Sequence, residues 1–245
     1  MKEKIRKIIL IILVILLGIC CWQVGKWYFG LKDEEKVTDE IKEKAEEQGI
    51  IFDRNMWNEL KARNSDFVGY IHLEDDSMNL PIMQSEEENY YYRRDFDKNY
   101  SSMGTPFVVP SANVENDANT TVYGHHVMYM DSAMFSPLIK LKQQENYENC
   151  KTFTVWWENV KNTYEIAIVY VFDEVNSDTY DYAQRNFYTE TEFNEWISYA
   201  QSRNLIETDI DTKYGDQYTT LLTCNTANST ERLLVIGKLV SSEEY

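Results

Sequence analysis

The chain has 245 residues, 43% hydrophobic and 14% aromatic, with only 9 Gly and 4 Pro, a balance that excludes a disordered or low-complexity protein. Its formal net charge is −17, with acidic residues spread along the whole length, which argues against a nucleic-acid partner. Setting aside an apolar N-terminal stretch leaves roughly 200 residues, enough for one domain with a real core.

The chain opens on Lys2, Lys4, Arg6 and Lys7, followed over 8–24 by IILIILVILLGICCWQV. At 1.5 Å rise per residue, about 17 to 20 apolar residues cross a bilayer core of about 30 Å. The basic flank is expected to stay in the cytoplasm, with Trp22, Trp27 and Tyr28 at the outer interface and the rest of the chain outside. A cleaved secretory signal is the alternative, but no A-x-A-like site follows the run.

Residues 32–63 are charged and poor in Gly. Val37, Ile41 and Ala45 recur at four-residue spacing, and Met56 and Leu60 follow a break at Gly49, so two helices are expected. From Phe67 the pattern turns to short β-like runs at 67–73, 78–84, 105–109, 120–123, 152–157, 163–172, 217–223 and 232–240. Eight strands imply a closed or nearly closed barrel. Two helical stretches interrupt them: 132–141, and one starting near Thr189, where Thr189-x-x-Glu192 forms a capping box ahead of Phe193, Trp196, Ile197 and Ala200. The fold class is mainly β with helices. Residues 1–30 are expected to form a basic tail and anchor, 31–64 a helical lead-in and 65–245 an extracellular barrel.

Of the four cysteines, Cys20 and Cys21 lie in the apolar segment, leaving Cys150 and Cys224 outside. Two extracellular cysteines commonly form a bridge, and a bridged Cys224 is no nucleophile. The segment YTTLLTCNTANSTERLLVIGKLV over 218–240 is a strand ending at Cys224, a polar loop, and a strand opening with Arg232. A thiol at a strand end beside a loop is accessible, although a single Cys in a β-rich domain is more often a small buried hydrophobe. The segment TTVYGHHVMYMD over 120–131 delivers His125 and His126 at another strand end. Consecutive extended residues face opposite ways, so one imidazole is expected to face a shared cleft. Histidine exchanges protons near neutrality, as acyl transfer through a cysteine requires. His72, inside a strand run, reads as structural. A guanidinium stabilises an oxyanion, which makes Arg232 a candidate, with a surface ion pair as its other reading. Three His and no Cys/His cluster give no expectation of a metal, and no organic cofactor is implied.

Together these pieces resemble the sortase family. Thr220-Leu221-Leu222-Thr223-Cys224 matches its TLxTC motif, Arg232 follows after a loop of seven residues, and Tyr123-Gly124-His125 matches its strand-end histidine motif. Leu60-Lys61 with Asn64, Asp66, Gly69 and Ile71 is similar to the approach to its first strand, and Pro81-Ile82-Met83-Gln84 to its second. Within the family the chain looks most like class B, which carries N-terminal helices, Met134-Phe135 after the histidine, and a helix between the sixth and seventh barrel strands, here 191–202.

The resemblance implies an eight-stranded sortase-type β-barrel and a cysteine transpeptidase. Cys224 is then the nucleophile, His125 rather than His126 the acid and base, and Arg232 the oxyanion or substrate-carbonyl ligand. Thr223, Leu222 and Asn89, the last in a segment resembling a substrate-side loop, are the implied substrate contacts. The implied partners are surface proteins or pilins with a C-terminal sorting motif, and an amine from a peptidoglycan cross-bridge or a pilin lysine. Class B members often carry Ser where Leu222 stands, and Asn225 follows the cysteine, so NPQTN-like and LPxTG-like motifs both stay open. A catalytically silent, membrane-anchored binding ectodomain on the same scaffold is the alternative. A papain-type protease is disfavoured, since no C-G-x-C-W surrounds Cys224 and the histidine precedes the cysteine.

Overall fold

The computed structural model describes residues 2–48, 52–175, 180–226 and 230–245. The chain divides into two compact units, Met1–Lys36 and Val37–Tyr245. Helix α1 (Lys2–Gln48) starts in the first. Its stretch Glu3–Gly25 has a mean hydropathy of 2.8 and, among the described residues, is the one helix long and apolar enough to cross a membrane. Its Ile and Leu side chains are exposed, which water would penalise and lipid would not, so it fits a membrane anchor.

In the second unit, α2 (Arg54–Arg63) is capped by Asp53, whose Oδ1 accepts from the Met56 backbone N–H at 2.8 Å. Ile41, Met56, Trp57 and Leu60 join the cluster around Phe67 and Tyr70, so α2 and the turn of α1 that carries Ile41 pack against β1. The helix break expected at Gly49 lies outside the described residues.

The strands are β1 (Phe67–Leu73), β2 (Asn79–Met83), β3 (Asn119–Tyr123), β4 (Thr152–Trp156), β5 (Val160–Asp173), β6 (Tyr218–Cys224) and β7 (Glu231–Glu244). Among the described residues they form one seven-stranded sheet in the order β2-β1-β4-β5-β7-β6-β3. The eight-stranded expectation is therefore corrected. The run 105–109 is no strand: Phe107 bridges Met83 on one sheet edge and Tyr123 on the other, and pairing stops there. Its neighbours Pro106 and Pro110 have no N–H to extend a ladder. Even so, Val108 donates to Met83 O and Phe107 to Tyr123 O, both at 2.9 Å, so this segment hydrogen-bonds to both edges of the curled sheet.

Helix α4 (Glu190–Gln201) connects β5 to β6 and starts at Thr189, whose hydroxyl accepts from the Glu192 N–H at 3.2 Å. The Glu192 carboxylate closes back on the Tyr188 N–H at 2.8 Å, one residue earlier than in a standard capping box. Phe193, Trp196, Ile197 and Ala200 pack with Tyr170, Leu222 and Leu234, so α4 covers the sheet face on which those strand residues lie. The helical stretch expected at 132–141 is a 3-10 helix, Ser136–Lys142, with Pro137 in its first turn, followed by the short α3 (Gln144–Glu148).

Candidate active site

Strands β3 and β6 run parallel, with Tyr123 beside Leu222, and the Gly124 N–H donates to Leu222 O at 3.0 Å. Both chains therefore leave the sheet at the same end, His125 from one and Cys224 from the other. Across the antiparallel β6–β7 pair, Cys224 stands directly opposite Arg232 and Leu222 opposite Leu234. Period-two alternation puts Cys224 and Arg232 on the face that α4 covers, one step beyond the apolar pair. The sheet order β7-β6-β3 thus brings Arg232, Cys224 and His125 to the same end of three neighbouring strands.

The Arg232 Nη1 lies 3.6 Å from the Cys224 sulfur, within reach of a donor to sulfur. Its Nη2 is 2.6 Å from the Glu174 Oε2, so one edge of the guanidinium faces the thiol and the other is bound to a carboxylate. Cys224 is a half-exposed free thiol, and Cys150 is a buried one. Burial pushes the Cys150 thiol up to about 12, so it stays protonated at physiological pH. The disulfide that would have silenced Cys224 is not formed.

His125 is held from two sides. Its Nε2 lies 2.8 Å from the Tyr92 carbonyl oxygen, and the two rings pack with centroids 4.2 Å apart. A carbonyl only accepts, so Nε2 carries the hydrogen and the neutral ring keeps its lone pair on Nδ1. Burial, helped by the nearby Arg93 cation, lowers the His125 pKa below its ordinary 6.5. Gly124 is needed here, because a Cβ would come within 2.5 Å of the Phe135 ring. The Phe135 N–H in turn donates to His125 O at 3.0 Å, tying the histidine to the 133–136 segment. Gly104, with φ +63, lies where a Cβ would strike the Tyr91 and Tyr92 carbonyl oxygens at 2.6 and 2.7 Å, so a glycine lets the chain pass behind the histidine's acceptor.

His126 is paired through its backbone with Met134, and its Nδ1 is buried without a hydrogen-bond partner. His72 bonds Asp76 through Nε2 at 2.7 Å and is 6% exposed, a structural strand residue. Leu222 belongs to the apolar cluster under α4. Thr223, on the opposite face, is buried with its hydroxyl unpartnered. Asn89 is exposed, adopts φ 56, and precedes the 3-10 turn Tyr90–Arg93 that carries Tyr92. The structure thus brings Cys224, Arg232 and His125 to one sheet end, places Asn89 beside the element that holds His125, and places Leu222 and Thr223 in the packing under Cys224.

Three features escape a reading of the sequence alone: the Tyr92 carbonyl, the Glu174 carboxylate, and Lys142. The Lys142 ammonium donates to Asn225 Oδ1 at 2.7 Å, while Asn225 Nδ2 donates to Glu231 Oε2 at 2.8 Å, pinning both ends of the loop after Cys224. Residues 227–229 of that loop lie outside the described residues. The substrate-side resemblance of Asn89-Tyr90-Tyr91 stops one residue short of Tyr92; no side-chain pattern could announce a carbonyl as the acceptor. Among the described residues no group of His, Cys, Asp and Glu is arranged to hold a metal ion.

Residues 71–240 match the family model described as the sortase domain. The chain is 25% identical to sortase B of Staphylococcus aureus over 97% of its own length and 98% of that protein's. A 2.0 Å crystal structure of Staphylococcus aureus sortase B superposes with a TM-score of 0.73 at 24% identity, covering 86% of this chain and 98% of that one. A crystal structure of sortase B complexed with triglycine also gives 0.73, at 23% identity over 86% of this chain and 96% of that one.

Proposed function

Because the chain belongs to the sortase family and is class B-like, we propose that it is a membrane-anchored cysteine transpeptidase acting through Cys224, His125 and Arg232. The observation that carries this reading is the approach of the Arg232 Nη1 to the Cys224 sulfur at 3.6 Å, at the sheet end where His125 also emerges.

The resting histidine is neutral, with its lone pair on Nδ1, and takes the thiol proton as the sulfur attacks the Thr carbonyl carbon of a sorting motif. A C–S bond forms, and the oxyanion is met by the Arg232 guanidinium, a permanent donor of fixed shape. The C–N bond then breaks, His125 returns the proton to the departing amine, and a thioester remains on Cys224. An incoming amine loses its proton to His125, forms the new amide and releases the thiolate. Asn89, Leu222 and Thr223 belong to the substrate side of this reading, Leu222 and Thr223 by shaping the strand beneath the cysteine. A relative's complex with triglycine supports a peptide amine as acceptor. Lys2, Lys4, Arg6 and Lys7 ahead of the apolar helix support a cytoplasmic N-terminus with the domain outside.

The test is intact mass spectrometry of the full chain in detergent, incubated with NPQTN-like and LPxTG-like peptides and triglycine. A thioacyl adduct on Cys224 with one peptide, and a triglycine-ligated product, is the expected result and identifies the motif. Absence of both adducts with a free Cys224 moves the assignment to a catalytically silent binding ectodomain.

A further inference from the structure

At the end of β5, Phe172 stands opposite Arg232 on β7, and Glu174 lies two residues further along the same face. Its backbone N–H donates to Thr230 O at 3.2 Å, which continues the β5–β7 pairing by one step and seats the side chain beside the guanidinium. Glu174 Oε2 meets Arg232 Nη2 at 2.6 Å, and Oε1 accepts from the Tyr182 hydroxyl at 2.9 Å. The Tyr182 ring packs on Phe172 with centroids 4.8 Å apart, so the carboxylate's second partner is itself held by the core under α4. Glu174, Arg232, Cys224 and His125 therefore stand in the sheet order β5-β7-β6-β3 across one end of the layer.

We propose that Glu174 is a positioning residue for the transferase reaction: it binds the outer edge of the Arg232 guanidinium, which keeps Nη1 aimed at Cys224 and the developing oxyanion. The reason is geometric. Arginine reaches its target through a long flexible stem, and its planar fork is useful only when its orientation is set. With Nη2 bound to a carboxylate that the Tyr182 hydroxyl holds, on a backbone whose N–H donates to the Thr230 carbonyl, rotation of the fork breaks a charge-assisted hydrogen bond. Glu174 touches neither substrate nor sulfur and acts only through Arg232. Its charge also offsets part of the guanidinium's field at the sulfur, so its removal affects orientation and thiolate reactivity in opposite directions. The inference rests on the transpeptidase reading above.

The experiment uses the full chain in detergent with the peptide that forms the adduct, triglycine as acceptor, and the variants Glu174→Ala, Glu174→Gln and Glu174→Asp. Glu174→Ala is expected to lose about 10- to 100-fold in kcat with KM for the sorting peptide unchanged, since misplacement near the reacting centre has effects of this order. Glu174→Asp restores part of the loss. Glu174→Gln keeps the shape and an acceptor without the charge; its Cys224 is expected to react with iodoacetamide about threefold faster while its kcat falls. That alkylation needs no substrate, so it tests the pair even if the wild type ligates nothing, a result that counts against the function and not against the pair. Wild-type kcat in a folded Glu174→Ala protein, or a wild-type alkylation rate in Glu174→Gln, overturns the proposal; if the Ala variant does not fold, the near-isosteric Gln variant decides.

Discussion

The domain holds two thiols in opposite surroundings. Cys150, just ahead of β4, is 1% exposed, and its thiol donates to the Thr152 carbonyl at 3.9 Å. Cys224, at the end of β6, is half exposed and faces a guanidinium. The same side chain is thus a piece of core in one place and a candidate nucleophile in the other. What differs is access: burial holds the Cys150 thiol protonated, while Cys224 is reachable from solvent beside a permanent hydrogen-bond donor.

The largest effect bearing on this contrast is expected from Cys224→Ala, which should reduce ligation of the sorting peptide by about 10⁴-fold or more, to background, while Cys150→Ala keeps it. A Cys224→Ala protein with full activity, measured by the same mass assay, would erase the contrast outright. Next is the histidine pair. His125→Ala should lose about 10³-fold in kcat/KM, within the range for a positioned acid and base, whereas His126→Ala remains active. Reversed outcomes would mean that the strand-end geometry has been assigned to the wrong imidazole.

A smaller effect concerns labelling. At pH 8, iodoacetamide should modify Cys224 in the folded chain and leave Cys150 untouched until denaturant is added, read as the mass of the domain's tryptic peptides. Modification of Cys150 at the same rate would mean that the β4 end opens readily. The smallest effect is on stability. Burial lowers the folded-state pKa of His125, so the unfolded chain binds that proton more readily and stability rises with pH. The contribution is present above the ordinary value of 6.5 and is lost as pH falls below it. The difference in Tm between wild type and His125→Ala should therefore shift in favour of the variant as pH drops from 7.5 to 5.5. A pH-independent difference would place the ring in water.

Most of the architecture, and the residues that meet at the candidate site, were legible in the linear chain. An apolar helix behind a basic flank, alternating short strands, a Thr-capped amphipathic helix and the ordered His125, Cys224 and Arg232 motifs all depend on local periodicity or on residue type, which a linear string records. The capped helix and its four buried residues are found where the 3.6-residue period puts them. The count of strands was beyond it, because 105–109 has strand-like composition and its fate was decided by its flanking prolines and by Phe107 bridging two separate sheet edges. The company each functional side chain keeps came from the fold. His125 is oriented by a main-chain carbonyl that carries no residue identity, and Cys150 is held protonated by its burial in the folded domain. Arg232 is gripped by Glu174, 58 positions earlier in the numbering, because β5 and β7 pair through to their ends. Such contacts depend on long-range register, and no local pattern of residues encodes a distance between strands.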